Sequence, residues 1–482
     1  LHLALAGRYD YHRDELYFIE CGRHLAFGYV DHPSLVPFIA RLADVGFGAS
    51  LYALRFLPAL ASGATVLLAA WFVRELGGGA VATLLTSLAL VGAPAYQRMG
   101  ALLCIPVFEP VFWTLASLLC WRILRGGSER NWLWAGLVVG LGLHDKHSML
   151  LWVAGLGGGL AFTSARRQLA SRWPWLGLLL AVIVFSPNLV WQAQHDFATV
   201  TFLQNMSQTT LARIPAHLFL LGQFLFMGPL SAPLWIVGLV SLLRGDVPRR
   251  VLGLAFVVVV AALLVTHGKP YYLAPAYPVL LAAGAARFEA WLAGRRLRVA
   301  ACAICLGASG VLFALVGLPI LPVSSIDRGL SVTLGGIVKP EELTQELHDQ
   351  FGFREQVDVV AGVVSTLSTE DRQRLLILTG NYGQASAVNF FGKDRDLPRA
   401  VSGHMNYHLW GVPAGRGEVV IAYGLPRESL DPLFADVREV AFIDHPLAMP
   451  QERKLPVWLA RTPRVPLHQA WPGLRRYFHG KR

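Results

Sequence analysis

Two polar stretches interrupt an otherwise apolar chain, and both carry residues able to do chemistry. Tyr11-His12-Arg13-Asp14-Glu15-Leu16-Tyr17 places two carboxylates beside a guanidinium, and Tyr29-Val30-Asp31-His32-Pro33-Ser34-Leu35 follows it. Leu16, Phe18, Ile19, Leu25, Phe27 and Tyr29 thread the same stretch, which predicts short helices packed on the membrane surface rather than a solvated loop. Held between such helices, an Asp-Glu pair is where a general base can be tuned, because burial and a nearby cation decide which carboxylate keeps its proton. Cations stand further along, at Lys146 in His144-Asp145-Lys146-His147 and at Lys269 in Lys269-Pro270-Tyr271-Tyr272. A lysine beside a leaving phosphate supplies electrostatic stabilisation. Each feature also has a plain reading: surface ion pairs for the loop, an interfacial reach for Lys269, and helix-start chemistry for Glu109-Pro110.

Other constellations are weaker. His12, His24 and His32 are spaced by twelve and eight residues, which matches no ligand motif, so no metal site is assigned and divalent-metal dependence stays open. Cys104, Cys120, Cys302 and Cys305 lie in apolar segments, where cysteine behaves as a small hydrophobe. Thr379-Gly380-Asn381-Tyr382-Gly383 is a lone glycine-rich turn after a predicted strand, a hint of a ligand loop and no more.

The elements that must position these residues are membrane helices. The chain is 54% hydrophobic and 15% charged. Apolar runs rich in Leu, Ala, Val and Gly predict spans near 51–74, 80–97, 104–122, 131–144, 147–163, 174–192, 216–243, 251–266, 271–291 and 299–318. Arginine clusters at 122–130, 166–172, 244–250 and 295–298 belong on the cytoplasmic side, so an even number of crossings separates neighbouring clusters. That parity makes 131–163 a hairpin whose turn faces outside, and makes 212–243, broken at Gly228-Pro229, a single crossing with its leading part at the interface. It also places residues 7–34, the 144–147 turn, 266–272 and everything past about 320 on the outer face.

After residue 320 the long apolar runs stop. Leu375-Leu376-Ile377-Leu378 and Val419-Val420-Ile421-Ala422 read as buried strands and 342–366 as a helix-like stretch. The organisation is a transmembrane domain over 1–319, with surface helices in 7–50, and an extracytoplasmic α/β domain over 320–482. Leu1 to Ala6 reads as the tail of a longer helix, which predicts a further span before this sequence. No basic stripe with interleaved aromatics marks a nucleic-acid partner. Arg475, Arg476, Lys481 and Arg482 read as a solvated end.

Asp14-Glu15, His32-Pro33-Ser34-Leu35 and Lys269 to Pro278 together resemble glycosyltransferase family 39, in its bacterial branch. That family includes the protein O-mannosyltransferases (PMT type), resembles the aminoarabinose transferases of lipid A, and has the GT-C fold. The resemblance runs over about residues 8–290, and Leu378 to Gly383 with Ser402-Gly403-His404 resembles the branch's outer domain. It implies an all-α polytopic GT-C membrane protein with a C-terminal α/β extracytoplasmic domain, placed in the cell inner membrane.

It further implies transfer of a sugar from a polyprenyl-phosphate carrier to a hydroxyl of a lipid, glycan or protein, with inversion. Asp14 falls on the base and Glu15 on its acidic partner. Lys146, Lys269, Tyr271, Tyr272, His32, Glu109 and Arg13 fall on donor-phosphate and substrate contacts. His32-Pro33-Ser34 departs from the usual Pro-Pro pair, and Asp145-Lys146-His147 from the usual Lys-Gly. The rival classes are a transporter or flippase of a lipid-linked sugar, which should show broken helices in two halves, and a non-catalytic assembly factor.

Overall fold

The computed structural model describes all residues except 209–213, 335–338, 414 and 479–482, so Lys481 and Arg482 lie outside the described residues. Among those described, Leu51–Glu75, Ile105–Leu124, Arg172–Gln194, Val247–Val265 and Arg296–Gly317 are helices long and apolar enough to cross a bilayer. In hydrocarbon the backbone must satisfy its own hydrogen bonds, and a helix does so within one segment. Asn131–Asp145 and Met149–Ala161 form the hairpin that the charge pattern requires, and Tyr277–Leu292 follows the 3-10 turn Pro270–Ala276.

Two spans are not straight. Residues 80–97, read as one run, bend by 63° between Ala80–Gly92 and Pro94–Ala101. Pro94 cannot donate to the preceding turn and instead opens a new helix. Gln97 covers a carbonyl that the break exposes, donating to Val91 at 3.1 Å, and also donates to Gly310 of the neighbouring helix Arg296–Gly317 at 2.9 Å. The second break, 93° between Ala216–Met227 and Pro229–Leu243, falls at the expected Gly228. There Ser231 Oγ donates to the Met227 carbonyl at 2.7 Å.

Helices approach closely where glycine allows it. A Cβ on Gly136 would lie 2.0 Å from the Gly177 carbonyl oxygen, and one on Gly284 1.8 Å from that of Leu234. Close backbone approach replaces the hydrophobic effect as the packing force between helices in lipid. One end of the bundle gathers arginines: Arg122 pairs with Glu75 at 2.6 Å and Arg125 with Asp246 at 3.1 Å. At the other end the three polar stretches meet.

The C-terminal domain is built on a five-stranded sheet in the order β2-β1-β3-β5-β4. Its strands are β1 (Leu375–Thr379), β2 (Ala400–Ser402), β3 (Val419–Tyr423), β4 (Phe434–Ile443) and β5 (Leu455–Pro463). β1 lies parallel to both β2 and β3, and these continuous apolar runs are buried throughout, as strands covered on both faces must be. The stretch 342–366 is interrupted: Pro340–Leu343 and Gln345–His348 are single turns, and Gly352, at φ +91°, precedes Phe353–Ser365.

The surface helices predicted in the first loop are Arg13–Arg23 and Leu35–Phe47. They share one apolar core with the C-terminal domain, in which Leu16, Tyr17, Ile19 and Val36 pack with Val357, Ile377, Tyr382 and Ala385. The sheet therefore rests on the loop.

Gly284→Val forces apart the helices Ala232–Leu243 and Tyr277–Leu292. It should cost about 1–3 kcal/mol and lower the melting temperature in detergent. Gly46→Val, whose new Cβ would meet nothing within 4 Å, should leave that temperature unchanged.

Candidate active site

The acidic pair of the first loop divides its duties by direction. Arg13–Arg23 begins with His12 as cap, its ring accepting from the Asp14 amide at 3.1 Å while Glu15 reaches back to the His12 amide at 2.9 Å. Successive residues on a helix point about 100° apart, so Glu15 faces the bundle and Asp14 its rim. Glu15 is fully buried and bonded to Arg55, from Nε at 2.9 Å and Nη2 at 2.7 Å. The Leu103 amide completes its shell at 3.1 Å. Burial raises the Glu15 carboxyl, but the Arg55 guanidinium and the His12 amide outweigh it and hold the group below its ordinary value.

Asp14 keeps 35% of its side chain exposed. Its Oδ1 accepts from the Tyr382 phenol at 2.7 Å and from Arg13 Nε at 3.3 Å. Arg13 also pairs with Asp349 at 3.5 Å. Burial works against its charge, yet Asp349, Asp14 and their neighbours keep its pKa well above the ordinary value. Burial pushes the Tyr382 phenol well up, so it remains a donor. Beside this group Tyr17 donates to Asp31 at 3.0 Å, and Asn406 of the C-terminal domain donates to both Tyr17 and Asp31.

A second cluster surrounds the 144–147 turn. Lys146 Nζ donates to Glu109 Oε2 at 2.7 Å and lies over the ring of Tyr272 at 4.3 Å and of Tyr271 at 5.4 Å. Ser148 donates to the other Glu109 oxygen. Asp145 is 1% exposed and neither of its oxygens has a hydrogen-bond partner among the described residues. A buried acceptor in that state calls for a proton or a ligand hydroxyl. Ser34 and His144 join the turn to the first loop at 2.8 Å. Between the two clusters runs the extended segment Leu102–Cys104, anchored through Leu103 on Glu15 and continuing into the helix that begins at Glu109.

The structure thus brings Arg13, Asp14 and Glu15 into one cluster and Glu109, Lys146, Tyr271 and Tyr272 into another. His32 is buried inside the loop, 3.7 Å from Asp31 and 3.9 Å from Cys21, so it supports the loop rather than lining an open face. Lys269 stands exposed, and its ammonium makes no hydrogen bond or ion pair among the described residues. Arg55 escaped the sequence reading although it is a charge inside the first apolar span, a signal by itself. Tyr382 lay in the glycine-rich turn singled out as a hint of a ligand loop, with nothing to link it to Asp14, whereas Asn406 and Asp349 carried no signal. Among the described residues no group of three or more His, Cys, Asp or Glu is arranged to hold a metal ion.

Comparisons with known proteins agree with the fold and the resemblance. Residues 31–191 match the family model of dolichyl-phosphate-mannose-protein mannosyltransferase. Lipid A galacturonosyltransferase RgtD of Rhizobium johnstonii is 27% identical over 268 residues, covering 53% of this chain. The match spans 55% of that relative's length, so about half of it. ArnT from Cupriavidus metallidurans, bound to undecaprenyl phosphate, superposes with a TM-score of 0.59 at 15% identity over 95% of both chains. Its apo state gives the same score at 14% identity. The fold is of the GT-C type, a multi-pass membrane protein carrying a small C-terminal sheet domain.

Removing one partner of a buried ion pair leaves the other uncompensated, so Glu15→Ala should cost about 3–5 kcal/mol. Because Glu15 titrates lower folded than unfolded, its contribution is present above the ordinary carboxylate value and lost as pH falls through the depressed one. Thermal melts of Glu15→Gln between pH 7 and pH 3 should accordingly start lower and fall less steeply than those of the wild type.

Proposed function

We propose that this chain, similar in fold and family match to the PMT-type GT-C transferases, moves a sugar from a polyprenyl-phosphate carrier to a hydroxyl of a lipid acceptor. The carrying observation is the placement of two complementary clusters at one end of the bundle: a rim carboxylate, Asp14, and a lysine framed by tyrosine faces, Lys146. The relatives support the substrate classes. ArnT is seen with undecaprenyl phosphate and RgtD is named for lipid A, so lipid A or a similar glycolipid is the acceptor proposed first.

The chemistry follows from leaving groups. A sugar phosphate departs readily when its developing charge is met, and Lys146 with the tyrosine hydroxyls supplies that at the carrier phosphate. Glu109 holds the ammonium in place until the phosphate competes for it. The acceptor hydroxyl, a weak nucleophile, gives its proton to the Asp14 carboxylate as its oxygen bonds to the sugar carbon. The bond from that carbon to the phosphate oxygen breaks, and the electron pair leaves with the polyprenyl phosphate. A single displacement inverts the sugar carbon. Glu15, saturated by four donors, holds the loop helix and takes no proton in this scheme. The reading puts the chain in the cell inner membrane with the C-terminal domain and both clusters outside, as the arginines at the opposite end support.

A transporter of a lipid-linked sugar should show broken helices, and two bent spans do occur among the described residues. They pack against each other, with Gly228 beside Pro94, and the matches are to transferases.

In vesicles supplied with undecaprenyl-phosphate-linked hexose, hexuronate or aminopentose, Asp14→Asn should lose transfer by about 10²–10⁴-fold with the fold intact. Lys146→Ala should weaken donor binding and turnover together. Wild-type activity retained by Asp14→Asn would sink the base assignment. The product's anomeric coupling, read by NMR, should be opposite to the donor's.

A further inference from the structure

The proposed base is reached from the far end of the chain. Tyr382, the first residue of Tyr382–Phe391, donates to Asp14 across 368 positions at 2.7 Å, the short distance of a hydroxyl on a charged carboxylate. Its ring is held on several sides. It stacks on Tyr17 with centroids 4.3 Å apart and on His404 at 5.1 Å, and the Arg13 guanidinium lies 5.5 Å from its centroid. Its amide donates to His404 Nδ1 at 3.3 Å, and the turn beneath it is locked by the reciprocal bonds of Asn381 and Gln384.

Gly383 lets Arg13 pass, since a Cβ there would sit 2.3 Å from Arg13 Cγ. The turn lies at the C-terminal end of β1, where the strand order reverses and open parallel sheets generally receive ligands. Here that crevice is filled by the domain's own Gln384, which donates to buried Glu452 at 2.8 Å, and the rim residue Tyr382 is aimed at the loop.

We propose that Tyr382 is a positioning residue for Asp14, so that the C-terminal domain completes the transfer site as well as covering it. The inference rests on Asp14 being the base. With a third of its side chain exposed, Asp14 is oriented by hydrogen bonds rather than by packing, and a misplacement of about 1 Å in such a group can cost about a hundredfold in rate. Docking of the sheet on the loop is then a condition for turnover.

The test compares the full-length wild type, Tyr382→Phe, Asp14→Asn and Arg399→Ala in proteoliposomes, with the undecaprenyl-phosphate sugar that the wild type uses. Arg399 pairs with Glu20 across the same interface, 2.5 Å away, without touching Asp14. Tyr382→Phe keeps the stacked ring and removes only the donor. Its kcat should fall about ten- to a hundredfold, with donor KM and melting temperature unchanged and Arg399→Ala near wild type. Unchanged kcat in Tyr382→Phe beside an inactive Asp14→Asn overturns the role of Tyr382 and leaves the base standing. An equal loss in Arg399→Ala also overturns it, since weakened docking then accounts for both. An active Asp14→Asn, or a wild type that transfers no sugar, removes the premise and the inference together.

Discussion

A carboxylate and a guanidinium buried together at one end of the first span hold the site in place. Taking Glu15 and Arg55 out of water is costly, and only near-complete hydrogen bonding offsets it. Arg55 donates to Glu15, to the Ala6 and Asp10 carbonyls and to Gln350, while Glu15 also accepts from His12 and Leu103. These partners lie on several segments: Ala6 and Asp10 on the entry segment, His12 at the start of the loop helix, Leu103 on the link and Gln350 in the C-terminal domain. One ion pair therefore fixes the entry segment, the loop helix, the span, the link to the second cluster and the edge of the C-terminal domain. Asp14 inherits its position from this pair, because the helix that turns Glu15 inward turns its neighbour to the rim.

The loop and the C-terminal domain behave as one layer. Their apolar side chains form a single core, and the polar contacts between them are buried: Asn389 and Arg399 on Glu20, Asn406 on Tyr17 and Asp31, Tyr382 on Asp14. A domain joined only by a tether could move without disturbing the loop. This one cannot, because leaving would strand fully buried Glu20 with fewer donors and expose Leu16 and Val357. The loop carries Asp14, so the state of the interface and the state of the carboxylate are linked.

The bundle beneath is shaped by its breaks as much as by its spans. Pro94 and Gly228 interrupt apolar helices, and Gln97 and Ser231 donate to the Val91 and Met227 carbonyls beside the breaks. Such breaks are tolerated in lipid only where protein re-satisfies the backbone. They sit side by side, close to the 3-10 turn that presents Tyr271 and Tyr272 to Lys146, with Gln223 of the second broken span donating to the Pro270 carbonyl at 3.1 Å.

Composition and charge order determined that the chain spans a membrane and that residues 131–163 fold back on themselves, because hydropathy and arginine placement act through a solvent that every segment meets independently. Of the ten runs read as spans, five helices among the described residues are long and apolar enough to cross, or seven if each bent pair counts as one. The acidic pair and Lys146 stood out for a related reason, since a charge in an apolar chain is costly and must find partners; Tyr271 and Tyr272 stood out only through the resemblance. Which carboxylate faces the rim was not legible, since that depends on Arg55, forty positions away, and a helix phase set by packing. The exposure of Lys269, the burial of His32 and the arrival of Tyr382 on Asp14 were decided by tertiary structure alone. Long-range contacts of this kind join residues that have no local pattern in common, so only the folded chain brings them within hydrogen-bond reach.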